Sequence, residues 1–323
     1  MSSARCEART TPLLNWYAAN ARTLPWRDTR DPYRIWISEI MLQQTQVKTV
    51  LPRYQSWFER FPDISALSAA GLDDVLKAWE GLGYYRRARF IHQAAQLMGE
   101  HHDGCFPTAF NDMLALPGIG RSTAGAIASF CFAMHSPVLD GNVKRVLRRW
   151  HGEPEARDKR LWTLAGQAIE ATDEPDTWNQ AMMELGATLC SPKAPNCAAC
   201  PVSGDCNSAF AADAPAQGRK PIAVRDVHWQ VHLHICPEHG IWLTQRPITG
   251  IWAGLWSPPI TELKTAPDTA PSHVHLLTHR RLHLYAERSN LSPQGEGQWV
   301  SDISTLALPT GIHRLLNKQE RKI

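Results

Sequence analysis

The 323-residue chain contains no run of about 18 uncharged apolar residues, the length a membrane-crossing helix needs, so no membrane span is expected. Its first residues, Met-Ser-Ser-Ala-Arg-Cys-Glu-Ala-Arg, lack the apolar core of a signal peptide, and a cytoplasmic location is the expectation. Strong charge of one sign is also missing. A net charge of +3 and a pI of about 8.4 are too mild to argue for a nucleic-acid partner by themselves. Hydrophobic content of 43% and charged content of 20% are those of an ordinary globular chain, long enough for two domains. Cysteine is sparse over most of the length. Cys6, Cys105, Cys131 and Cys236 stand alone, the pattern of incidental thiols rather than of a disulfide framework.

The stretch from Asp31 to Val47 is the most informative. Pro32 suits a first helical turn, and neither Gly nor Pro recurs until Pro52. At helical spacing Ile35, Glu39, Leu42 and Gln46 share a stripe, which aims one carboxylate along a largely apolar face. Burial would raise the pKa of Glu39 and make it a general acid near neutral pH. A structural glutamate paired with an arginine fits the same pattern.

Further motifs follow. Gly81-Leu-Gly-Tyr-Tyr-Arg-Arg-Ala-Arg89 combines glycines, which permit close backbone approach, with aromatics that stack on bases and arginines that hold phosphates. A helix boundary with core tyrosines would look similar. In Leu116-Pro-Gly-Ile-Gly-Arg-Ser-Thr123 a turn runs into a small-residue helix, a helix-hairpin-helix signature whose N–H groups suit a phosphate. Asp140 opens another helix, either as an N-cap or as an ionised carboxylate set against developing positive charge. The arginines at 86, 87 and 89, and the group Lys144, Arg145, Arg148 and Arg149, read as solvated helix faces or as DNA contacts. Cys190-x6-Cys197-x2-Cys200-x5-Cys206 can surround one centre, zinc or an iron–sulfur cluster.

Residues 207–225 turn rich in Ala, Pro, Gly, Asp and Lys, the composition of a linker. Beyond it the period becomes alternating. In Val227-His-Trp-Gln-Val-His-Leu-His-Ile235 the apolar residues occupy one face and His228, His232 and His234 the other. Short strands are expected to 300 and a last helix from Thr310, giving a small α+β domain.

Together these stretches closely resemble the adenine DNA glycosylases of the MutY type. The match spans nearly the whole chain and is most specific in Ser38-Glu-Ile-Met-Leu-Gln-Gln-Thr45, Gly81–Tyr85, Leu116–Thr123, Leu139-Asp-Gly-Asn-Val-Lys-Arg145 and the cysteine set. The resemblance implies a multidomain chain. Residues 1–206 would form a mostly α-helical helix-hairpin-helix glycosylase region, with a [4Fe–4S] subdomain at 190–206. Residues 226–323 would form a C-terminal α+β, Nudix-like domain that recognises 8-oxoguanine. That domain lacks an Arg-Glu-x-x-Glu-Glu box, so pyrophosphate hydrolysis is not expected.

The implied activity is removal of adenine mispaired with 8-oxoguanine or guanine in double-stranded DNA, by a monomer working at the nucleoid. By resemblance Glu39 is the catalytic acid, Asp140 the stabilising carboxylate and Asn142 its aide. Gln44, Leu82 and Tyr84 match residues at the gap and at the opposite base. Gly118, Gly120 and Ser122 belong to the phosphate-holding hairpin, and Cys190, Cys197, Cys200 and Cys206 to the cluster. Ser122 stands where bifunctional relatives carry a lysine, which implies a monofunctional enzyme. Leu277-Thr278-His279 matches a Phe-Ser-His recognition loop, with Leu in place of the aromatic. Two other readings are an endonuclease III-like glycosylase/lyase and a non-catalytic DNA-binding or redox-sensing cluster protein. Ser122 argues against the first of these, and the paired acids argue against the second.

Overall fold

The structure, a computed structural model, describes residues 3–211, 223–289 and 291–320. The linker expected over 207–225 thus lies largely outside the described residues. In chain order the helices are α1 (Ser3–Asn20), α2 (Pro32–Leu42), α3 (Val47–Arg60), α4 (Ile64–Ala69), α5 (Leu72–Ala78), α6 (Arg86–His101), α7 (Phe110–Ala115), α8 (Arg121–Phe132), α9 (Gly141–His151), α10 (Asp158–Ile169) and α11 (Pro175–Thr188). Strands β1 (Arg225–Leu233), β2 (Ile235–Cys236), β3 (Gly240–Gln245), β4 (Trp256–Ser257), β5 (Ile260–Leu263), β6 (His273–Leu276), β7 (Arg280–Arg288) and β8 (Gln298–Val300) precede α12 (Thr310–Glu320). None of the described helices is long and apolar enough to cross a membrane.

Contacts divide the chain into two compact units. The first draws on the N-terminal helices to Gln46, Asp63–Ser65, and Ala94 to Ala211. Its core is built where α9 lays Val143, Val146, Leu147 and Trp150 against Leu161 and Leu164 of α10 and Trp178, Met182 and Leu185 of α11. The spacing i, i+3, i+4, i+7 on α9 is what brings these four to one side. Glu184 of α11 is 1% exposed and accepts hydrogen bonds from Arg22 (2.6 and 2.7 Å) and Arg27 (2.7 Å), so this buried charge is matched by two cations.

The segment between α8 and α9 is strapped from three sides. Asn179 accepts from Val138 N–H at 3.1 Å and donates to Ser136 O and Ser129 Oγ, both at 2.9 Å. Ser122 accepts from Leu139 N–H at 3.0 Å. Gly125 of α8 lies so close to this segment that a Cβ there would sit 2.4 Å from Pro137 O.

The second unit combines Val47–Pro62 and Ala66–Gln93 with the described residues from Ala223 onward. One sheet has the order β5-β1-β7-β6, with β1 parallel to β7 and the outer pairs antiparallel. A second places β3 between β2 and β8, and β4 continues from β3. Trp229, Val231 and Leu233 of β1 and Leu282 and Leu284 of β7 bury one face under Ile312, Leu315 and Leu316 of α12. The alternation expected from sequence stops two residues early. β1 ends at Leu233, His234 turns inward to be 9% exposed with its Nδ1 2.9 Å from Leu291 O, and Ile235 is 48% exposed. The reason is local: at the crossing from β1 to β2, pairing passes from one sheet to the other and the face of the chain inverts.

Within this unit α5 and α6 carry the sheets. Asp73 accepts from Gln245 Nε2 (3.0 Å) and Trp256 Nε1 (3.1 Å), Glu80 pairs with His313 (2.6 Å), and Arg89 donates to Ala253 O (2.5 Å).

Two glycines in helices provide a matched test. Gly125→Ala is expected to lose about 2–3 kcal/mol in urea unfolding, because the added methyl meets a backbone oxygen. Gly166→Ala on α10, where a Cβ meets nothing within 4 Å, is expected to be neutral or to gain up to about 1 kcal/mol. Equal losses at both positions would contradict the close approach of α8 to Pro137.

Candidate active site

Asp31 caps α2 by accepting from Tyr33 N–H at 2.9 Å, and Pro32 occupies its first position. With Ile35, Trp36, Ile37, Ser38, Ile40 and Met41 all buried, Glu39 is set among apolar neighbours. The side chain keeps partial access to solvent, yet its carboxyl lies deep enough that burial governs its titration. Desolvation first, and the nearby Asp140 second, push Glu39 up to about 7 from an ordinary 4.5. Beside it the Cys131 thiol, which nothing in the sequence singled out, is pushed up to about 12 by burial and by Asp31 and Glu39, and stays protonated.

Asp140 is the N-cap of α9. Its carboxylate accepts from Val143 N–H (2.7 Å) and from Asn142 Nδ2 (3.3 Å). The capping and electrostatic roles weighed from sequence are therefore compatible in one residue. Burial still holds Asp140 above the usual aspartate range, against the pull of the helix-start N–H groups and Arg145. Arg145 ties this corner together: it donates to Asn142 Oδ1 (2.8 Å), Gly186 O (2.7 Å) and Cys190 O (2.8 Å). Gly186 belongs to the same arrangement, since a Cβ there would lie 2.7 Å from the Cβ of Asn142.

The expected hairpin is formed by α7, a turn at Leu116–Gly120 and α8. Gly118 has φ +79°, and Gly120 opens α8 without a side-chain cap, leaving its first N–H groups for another acceptor. Ser122 faces Leu139 rather than a basic group. Gln44, just past the end of α2, is exposed and left-handed at φ +56°, while its neighbour Gln43 reaches Thr123 Oγ1 at 3.4 Å.

Of the basic group on α9, Lys144 pairs with Asp158 at the surface, whereas the three arginines turn to carbonyls of the fold instead of forming the solvated face or DNA contact read from sequence. Arg149 is 9% exposed and donates to Ser191 O (2.7 Å) and Pro192 O (3.0 Å), with Cys190 Sγ at 3.4 Å. Arg148 donates to Ala156 O at 3.0 Å. The loop that Arg145 and Arg149 hold carries the four cysteines. Cys190, Cys197, Cys200 and Cys206 are free thiols, and all four line one pocket with Val146, Leu185 and Val202. Four cysteines sharing one largely apolar wall with Arg149 fit a bound group that takes thiolates. Elsewhere Cys236, Glu238 and His239 place donor atoms within 4.8 Å of one another on an exposed hairpin tip. The three histidines of the 227–235 stretch do not converge. His228 meets Tyr285, His232 meets Thr261, and His234 meets Leu291 O.

In the second unit the turn after α5 holds Leu82 and Tyr84 very differently. Tyr84 is 48% exposed with φ +47°. Leu82, expected near the DNA, is 4% exposed: the turn folds its side chain inward as an anchor. Tyr84 Oη lies 2.7 Å from Thr278 Oγ1 in the β6–β7 turn. There Thr278 and His279 are exposed, Leu277 packs against the sheet core, and Leu276 is the outward apolar residue at 69% exposure.

Residues 37–168 match the model of the HhH-GPD superfamily of base excision DNA repair proteins, and residues 230–318 match a NUDIX domain. The fold agrees with that of a thermostable thymine-DNA glycosylase (TM-score 0.60, 26% identity, 64% of this chain and 96% of that one). It agrees also with endonuclease III in a non-covalent DNA complex (TM-score 0.56, 19% identity, 65% and 97%). The chain is a mostly helical HhH-GPD protein with a C-terminal β-rich, Nudix-like domain. An adenine DNA glycosylase of Buchnera aphidicola subsp. Schizaphis graminum is 36% identical over 337 residues, covering 94% of this chain and 96% of the relative. The human enzyme of that name is 43% identical over 61% of this chain and 38% of its own length. The chain belongs to the adenine DNA glycosylases, as its motifs implied: it is a hydrolase of N-glycosidic bonds acting in base excision repair.

The displaced titration of Glu39 has a consequence for stability. A carboxyl whose folded pKa is raised takes up a proton on folding between the two values, so its cost grows as pH climbs from about 4.5 to about 7 and is complete above that. At about 1.4 kcal/mol per tenfold change in proton activity, the ceiling is about 3 kcal/mol. Glu39→Gln is expected to raise the unfolding free energy at pH 8 and to leave it nearly unchanged at pH 4. A gain that does not depend on pH would refute the displaced titration.

Proposed function

We propose that this enzyme excises adenine paired with 8-oxoguanine or guanine in duplex DNA and that Glu39 is the acid that makes adenine leave. The observation that carries the reading is the Glu39 carboxyl, pushed to about 7 by burial beside Asp140, so that it still holds its proton near neutral pH. Adenine is a poor leaving group as an anion. A proton delivered to the base, at N7 by family analogy, removes that difficulty. As the bond to the sugar stretches, positive charge develops on the ring, and Asp140 stabilises it electrostatically or captures it transiently. Asn142, bonded to Asp140, helps place that carboxylate and the attacking water. The products are free adenine and an abasic site.

The base must leave the helix first, and a mispair opens more cheaply than a Watson–Crick pair. In this reading Gly118, Gly120 and Ser122 present the hairpin N–H groups to a phosphate, and Gln44 and Tyr84 fill the gap and meet the opposite base. Thr278 and His279 read 8-oxoguanine from a recognition domain at 226–323, joined through a 207–225 linker to the catalytic region at 1–206. A serine hydroxyl at 122 cannot form a Schiff base with the sugar, so the enzyme is a monofunctional glycosylase. The four cysteines would hold a [4Fe–4S] cluster, supported by their shared pocket. The cluster would supply a rigid cross-link for the loop that Arg145 and Arg149 grip. The protein acts as a monomer at the nucleoid.

Single-turnover assays on duplexes with adenine opposite 8-oxoguanine, guanine or thymine test this reading. Strand breaks are expected only after hot alkali, and only for the first two. Breaks without alkali on oxidised thymine would establish the lyase alternative, and no base release would leave a non-catalytic protein. Glu39→Gln is expected to keep DNA binding and lose about 10²–10⁴ in rate, and the wild-type rate is expected to fall about tenfold per pH unit well above 7. A brown protein with about four irons per chain, lost on Cys197→Ser, is expected from the cluster.

A further inference from the structure

The turn that presents Tyr84 is strained, and two buried side chains, Arg87 and Trp79, hold it. Gly81, Gly83 and Tyr84 have φ of +91°, +68° and +47°. Glycine takes this region freely, but a tyrosine there costs roughly 1–2 kcal/mol, so the conformation must be imposed by its surroundings. With Trp79, Arg87 on the first turn of α6 imposes it. It is 9% exposed, and its Nη2 donates to Leu82 O at 3.0 Å and Gly83 O at 3.1 Å. The guanidinium lies over the Trp79 ring (5.1 Å) and the Tyr84 ring (5.6 Å), and the Trp79 indole N–H donates to Gly83 O at 3.0 Å. Both carbonyls that a left-handed pair turns inward therefore converge on one planar cation. That cation also backs the tyrosine ring and leaves its outer edge and hydroxyl exposed. Burial lowers the Arg87 pKa to about 10, which leaves it charged at working pH.

We propose that Arg87 is a positioning residue for mispair discrimination: it fixes this turn so that Tyr84 stands with its hydroxyl at Thr278 and its ring offered to the base opposite the excised adenine. The proposal rests on the function assigned above to Tyr84 and Thr278. Arg87 touches no substrate, and it acts through the conformation of its neighbour. Charge alone does not suffice, because a lysine has neither the planar fork that reaches two carbonyls nor a flat face to fill the slot between two rings.

The test compares single-turnover rate constants for adenine opposite 8-oxoguanine and opposite guanine, in wild type, Arg87→Met, Arg87→Lys, Tyr84→Phe and Tyr84→Phe/Arg87→Met. Arg87→Met is expected to cut the ratio of the two rates about tenfold, equivalent to about 1.4 kcal/mol. Arg87→Lys should fall between it and wild type. In the Tyr84→Phe background, Arg87→Met should lower the ratio by less than it does in wild type, because the hydroxyl contact is already lost and only the ring remains to be positioned. A merely structural role would slow both substrates alike and leave the ratio intact, which overturns the proposal, as would independent, multiplying losses in the double variant. If Arg87→Met does not fold, the lysine variant decides between the two outcomes by the same ratio. A wild type without preference for 8-oxoguanine would instead overturn the recognition role of Tyr84 and Thr278, a separate and recognisable failure.

Discussion

The displacement of water from one carboxyl group is the constraint on which the structure depends. Glu39 would be an ordinary glutamate on an exposed helix. On α2 it is ringed by buried Ile, Trp and Met side chains, and a second acid, Asp140, adds to its reluctance to ionise. That placement requires two segments far apart in sequence to meet. Much of the first unit exists to make them meet: Gly125 allows α8 to touch the segment before Asp140, Asn179 and Ser122 bind that segment's N–H groups, and Gly186 allows α11 to touch Asn142. Stability is given up at Glu39 and made good by the α9–α10–α11 core.

A second theme is the use of arginine as internal mortar. Arg145 and Arg149 bind the carbonyls of the cysteine loop, Arg148 that of Ala156 in the α9–α10 connection, Arg87 those of the Tyr84 turn and Arg89 that of Ala253. In each case irregular backbone presents carbonyls that no helix or strand can satisfy. A long side chain from a neighbouring helix carries several donors to them. Tyr84 and the four cysteines lie on such segments, so Arg87, Arg145 and Arg149 stand one step behind them.

Periodicity and motif spacing made the large pieces legible. The helical stripe around Glu39, the Leu-Pro-Gly-Ile-Gly turn, the cap at Asp140 and the switch to alternation after 226 all correspond to elements of the structure, because each depends on neighbours within a few residues. What stayed hidden depends on distant ones. A row of basic residues in a helix does not announce that carbonyls from a loop some forty residues later will face it, as happens at Arg145 and Arg149. The alternation through Ile235 persisted in composition although the strand had ended. Leu82 and Tyr84 sit two residues apart with opposite exposure because the turn's handedness, not its pattern, decides which is outward. Gly125 and Gly186 carry no signal at all until the partner backbone is in place.

The arginines have one more consequence, for the way the protein meets a polyanion. The modest excess of basic residues overstates the positive charge available outside, since Arg87 and Arg149 are almost wholly enclosed and spend their donors within the fold. Those two guanidinium groups therefore displace no condensed counterions when a phosphate backbone arrives, and the slope of affinity against salt reports the remaining outward cations together with the helix-start dipoles.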